Sequence, residues 1–154
     1  MFISASSLLS GCGGSGSPGS TPSPGGGPAY GALTLSGDGA TATGTTFNAL
    51  SRLAIAGSGI TTTQWYNIDI NAGITYPYVM LGIVQDSVGA ITGVTISRMT
   101  SESTASDQWV TPSAPSTTEA SATATTVTFT NLAVPGYAAV PTTTSLTLNG
   151  TLNF

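Results

Sequence analysis

From residue 29 onward, apolar and polar side chains alternate with a period of two and nowhere sustain the spacing of a helical stripe. The final stretch is the cleanest. Leu146, Leu148, Leu152 and Phe154 fall on one side, and Thr147, Asn149, Thr151 and Asn153 on the other. Successive side chains of an extended strand point to opposite faces, so this pattern suits a sheet with one face on a core and one in water. The 27 threonines, with many valines and isoleucines, reinforce it, because β-branched side chains fit a pleated surface better than a helix. The chain is therefore expected to be all-β.

Turn residues divide this region into short strands. Leu33 and Leu35 lie on a first strand closed by Gly37-Asp38-Gly39, and Leu53 and Ile55 on another closed by Gly57-Ser58-Gly59. In the run from Ile60 to Ile70, Ile60, Tyr66, Ile68 and Ile70 share one face, and Thr61, Thr63, Trp65, Asn67 and Asp69 the other. Tyr76 to Val84 differs, since both alternating sets are apolar. It reads as a central strand covered on both faces and entered just after Pro77, which cannot donate to a ladder. Beyond Asp86-Ser87-Val88-Gly89, Val94 and Ile96 should point opposite to Ile91 and Met99. Residues 101–121 are polar and proline-bearing and read as a long surface loop.

Seven or eight short strands separated by turn signals predict an antiparallel β-sandwich for residues 29–154. The terminal Phe154 on an alternating strand also resembles the closing strand of outer-membrane β-barrels. Such strands need about 9–11 residues with an apolar outer face and aromatic girdles, and most strands here are shorter.

Ahead of the domain, Leu9-Ser10-Gly11-Cys12 places an aliphatic residue and two small ones before the only cysteine. The segment resembles the lipobox of bacterial lipoproteins. That resemblance implies removal of residues 1–11 and acylation of Cys12, giving a membrane-anchored, extracytoplasmic protein at an outer membrane or cell surface. Phe2, Ile3, Leu8 and Leu9 supply the apolar part of a leader, but no Lys or Arg precedes them, as a start upstream of Met1 would explain. Gly13, rather than Asp, after the cysteine suits outer-membrane sorting. Residues 13–28 contain only Gly, Pro, Ser and Thr, so residues 12–28 read as a disordered, lipid-bearing tether. The structural alternative is a stray thiol in a disordered tail.

Composition removes several kinds of chemistry. Without histidine or lysine, the chain cannot build a Ser-His-Asp triad, a zinc-protease motif or a phosphate-cradling P-loop. A net charge of −4 with two basic residues argues against nucleic acid. Of the six acids, Asp38, Asp86, Glu102, Asp107 and Glu119 fall in expected turns or the long loop, and Asp69 on a polar sheet face. No pair of them is spaced for general acid–base work, so no enzymatic activity, metal or cofactor is expected.

The remaining candidates are aromatic. Trp65, with Asn67 and Asp69 on its own face, and Trp109, beside Asp107 and Gln108, could stack on and hydrogen-bond to a glycan, or anchor a protein. The structural reading is that Trp65 covers a sheet and Trp109 plugs one end of the sandwich, as tryptophans are usually well buried. Three functions stay open: a non-catalytic surface lipoprotein that is structural or mediates interactions, a glycan-binding or adhesive module, and a subunit that self-assembles through sheet edges.

Overall fold

A computed structural model describes residues 28–57, 61–67, 75–140 and 142–154. The lipobox Leu9, Ser10, Gly11 and Cys12, the tether up to residue 27, and Asp69 lie outside these residues.

The domain is a β-sandwich of two five-stranded antiparallel sheets. In chain order the elements are β1 (Gly31–Ser36), the short helix α1 (Ala40–Thr43), β2 (Thr46–Asn48), β3 (Arg52–Ala56), β4 (Thr62–Tyr66) and β5 (Tyr78–Gln85). They continue with β6 (Ile91–Ser101), β7 (Thr104–Val110), β8 (Ala120–Ala122), β9 (Thr126–Pro135) and β10 (Ser145–Asn153). The first sheet runs β2-β1-β10-β9-β8 and the second β3-β4-β5-β6-β7. The count of ten exceeds the seven or eight expected because the short strands β2 and β8, and β7, carry little alternation of their own.

The apolar sets close on one another. Leu33, Leu35, Phe47, Val127, Phe129, Leu146, Leu148 and Leu152 face Tyr66, Leu81, Ile83, Val94, Ile96 and Trp109 across a single buried core. β5 begins just after Pro77 and holds the centre of its sheet, as its sequence predicts. Its inner residues Leu81 and Ile83 are buried. The outer residues Tyr78, Met80 and Val84 are only half-buried, and no third layer packs on them among the described residues. Coverage of both faces is therefore incomplete, the outer side being shielded by neighbouring side chains alone.

Two bulges reset the alternation. On β9 the inward set changes from Val127 and Phe129 to Leu132 and Val134, because Thr130 and Asn131 together oppose Asn149. Asn131 takes φ 51°, a left-handed conformation that asparagine tolerates, and its N–H donates to Asn149 Oδ1 at 2.8 Å. On β6 the register shifts between Val84 and Gln85, so that Thr92 is the extra residue. Ile91 thereby joins Val94 and Ile96 in the core instead of opposing them. Strict period-two reading cannot anticipate such an insertion.

Residues 101–121 are not one loop. A turn at Glu102-Ser103 sends the chain back along β6 as β7, and only residues 111–119 remain outside strands. Hairpin pairing with β6 and burial of Trp109 hold β7 in place, and local composition reports neither.

Candidate functional site

The structure separates the residues that the sequence groups as ligand-binding. Trp109 has no exposed surface and sits in the core, where its indole Nε1–H donates to Thr144 Oγ1 at 3.3 Å. Gly39 packs against that ring and against Leu146, leaving no room for a side chain. Trp109 thus ties the last strand of the second sheet to the first sheet and offers no ring to a ligand.

Asn67 is also buried and departs from the alternation of β4, with φ 59°. Its side-chain amide is fully used. Oδ1 accepts the Leu50 N–H at 2.9 Å, and Nδ2 donates to the carbonyls of Asn48 at 3.0 Å and Val79 at 3.2 Å. It staples the crossover between the two sheets to β5. The left-handed residue turns this amide away from the face that carries Trp65, which corrects its assignment as a ligand contact.

Trp65 does face outward. In the sheet it stands between Leu53 on β3 and Gly82 on β5, and its ring spreads over Gly82 so closely that a Cβ there would overlap it. A missing side chain on one strand thus becomes the seat of a ring from the next. Two apolar rows result. One runs Leu53–Trp65–Gly82–Thr95–Val110, and the next Ile55–Thr63–Val84–Gly93. At the open margin Leu53 and Ile55 are 46% and 44% exposed, large values for apolar side chains on adjacent outward positions.

No family model, curated protein or solved structure matches this chain.

The margin is the outer edge of β3. Gly57 N–H bonds to the Thr61 carbonyl and Asn67 N–H to the Ser51 carbonyl, both in the register of the β3–β4 pairing. In an antiparallel ladder the bonded positions recur at every second residue. Ser51, Leu53, Ile55 and Gly57 therefore direct their main-chain groups to β4, while Arg52, Ala54 and Ala56 direct theirs outward. Among the described residues nothing pairs with them. The other three edges are managed. β2 and β8 are three residues long, and β7 is covered where Gln108 accepts from Tyr137 N–H and its own N–H donates to Thr142 Oγ1.

A polar chain that the sequence does not signal lies under this margin. Arg52 donates to Gln64 Oε1 at 3.3 Å, Gln64 to Gln85 Oε1 at 3.4 Å, and Gln85 to the Gly89 carbonyl at 3.1 Å. The Arg52 guanidinium also lies 5.9 Å from the Phe154 ring centre. Beside it, burial pushes the Tyr66 phenol up to about 12, with Arg52 opposing the shift, and the hydroxyl donates to the Asn153 carbonyl. The glutamines point inward on β4 and β5, where alternation alone would place apolar residues.

Three of the described acids are occupied locally. Asp86 accepts from the N–H groups of Val88 and Ala90 in the β5–β6 turn, and Asp107 pairs with Arg98 at 3.7 Å. Glu119 accepts from both the N–H and hydroxyl of Ser116, which holds its carboxyl below the usual range. A cleft of about 450 Å³ between the β5–β6 turn and residues 114–122 contains one acid, Asp86. Among the described residues no three His, Cys, Asp or Glu side chains cluster to hold a metal.

Proposed function

We propose that this chain is a non-catalytic surface lipoprotein, anchored through acyl groups on Cys12, whose β-sandwich mediates protein interactions. The observation that supports the interaction role is the open margin of the second sheet. There Leu53 and Ile55 stand exposed beside Trp65, on a strand whose outer main-chain groups lack partners among the described residues. Exposed apolar side chains next to unpaired backbone donors suit a partner that supplies an extended segment.

The anchor is tested by the intact mass of membrane-extracted protein, expressed with its upstream sequence, for the wild type and Cys12→Ser. The expected result is a mature chain that starts at Cys12 and carries acyl groups, with both features lost in the variant. An unacylated wild type retaining residues 1–11 refutes the anchor.

Among the described residues a glycan-binding reading rests on Trp65 alone, whose ring lies on the sheet face as a stacking platform. Asn67 and Trp109 are turned to structural work, so among those residues the ring loses the amide that would orient a sugar. Unchanged binding of Trp65→Ala to a glycan panel removes this alternative.

A further inference from the structure

We propose that β3 is a self-pairing edge. Two copies of this chain join antiparallel through Arg52–Ala56, about a two-fold axis at Ala54, and their second sheets become one continuous sheet. The inference rests on the interaction-mediating reading above and names the partner.

The sequence of β3 is self-complementary in this register. Ala54 meets Ala54 of the other copy, Arg52 meets Ala56, and Leu53 meets Ile55. The residues whose N–H and C=O groups point outward, Arg52, Ala54 and Ala56, are the ones that must form bonded pairs, so the junction gains about six main-chain hydrogen bonds and strands none. Leu53 and Ile55 occupy the non-bonded positions, where opposing side chains approach most closely. Four exposed apolar side chains then cover one another, and the Trp65 row of each copy continues through Leu53 into the Ile55–Thr63 row of the other. The only charged residue of β3 does not oppose its own copy: the two Arg52 Cα atoms lie about 13 Å apart along the strands, and each guanidinium remains on its own Gln64.

Little on β3 opposes pairing. Natural edges carry charged side chains, lysine above all, proline or a bulge to prevent it, and RLAIA carries one such residue, Arg52, whose guanidinium is held on Gln64. A strand pair of this length falls short of the roughly 1,200 Å² that marks stable complexes, so the association is weak and reversible, with a dissociation constant of about 10–100 μM. A single small two-fold contact of this kind gives a closed dimer rather than a fibre.

The test uses the full 154-residue chain with Cys12→Ser, which can carry neither acyl chains nor a disulfide. Sedimentation velocity is run up to about 500 μM, well above the expected dissociation constant. The expected result is a reversible monomer–dimer equilibrium. Ala54→Pro deletes an outward N–H and leaves the β4 ladder intact, so it should keep its melting temperature and stay monomeric. L53K and I55E should each weaken dimerisation at least about tenfold, and their equimolar mixture should recover it as an ammonium meets a carboxylate across the junction. A parent chain monomeric throughout overturns the proposal. So does a folded Ala54→Pro that dimerises like its parent, or a mixture no better than its components. Because this protein bears no lipid, pairing and anchoring succeed or fail separately.

Discussion

Asn67 offers the sharpest test of whether a polar residue next to Trp65 is a ligand contact or a staple. Replacing it with alanine leaves the Leu50 N–H and the Asn48 and Val79 carbonyls without the partner each now has. At about 1 kcal/mol net for each bond, the lost amide costs about 3 kcal/mol. Alanine must also hold φ 59°, which adds about 1 kcal/mol. For a domain of this size a loss of about 4 kcal/mol lowers the melting temperature by about 10–15 °C. Glycine accepts the left-handed backbone, so Asn67→Gly should recover about 1 kcal/mol of the alanine deficit and no more. Asn67→Asp keeps the acceptor for Leu50 but turns an anionic oxygen toward two carbonyls, and should be at least as damaging as alanine. Urea unfolding of the three variants against wild type reads this order directly. An Asn67→Asp protein as stable as wild type would falsify the staple and return Asn67 to the pool of ligand contacts.

Two further outcomes follow from the same geometry. Tyr66 titrates near 12 in the folded chain and at 10.0 when exposed, so its contribution to stability is complete below pH 10 and is lost as pH rises toward 12. Tyr66→Phe should lower stability at neutral pH, through the unpartnered Asn153 carbonyl, yet show a shallower alkaline decline of its urea midpoint; an unchanged slope refutes the assignment. In Trp65→Phe the emission of the remaining Trp109 should be blue-shifted and resist acrylamide, because that ring is fully enclosed, whereas emission typical of a solvated indole would contradict its position.

The sequence and the structure agree where burial is continuous along a strand. Leu146, Leu148 and Leu152 are all enclosed, and Pro77 marks the entry to a central strand for the reason its missing N–H suggests. They part where one residue changes phase. Thr92 and Asn131 each add an unpaired position, so Ile91 and Val94 share a face that their spacing says they should not. Asn67 leaves its predicted face through one left-handed residue, and Trp109 owes its burial to Thr144 and Gly39, distant in sequence. The open margin was hidden for another reason. Leu53 and Ile55 read as an ordinary apolar pair, and only the order of strands shows that among the described residues nothing stands beyond them.

The order in which this chain can assemble is written in how its sheets divide the sequence. The second sheet uses β3 to β7 in succession, each strand hydrogen-bonded to the next, so it can grow by pairing neighbours in sequence. The first sheet joins β1 to β10, strands separated by most of the domain, and places β10 between β1 and β9. Closing so long a loop is entropically costly and slow. Until the last strand leaves the ribosome the first sheet has a gap at its centre, and the core has only one finished wall.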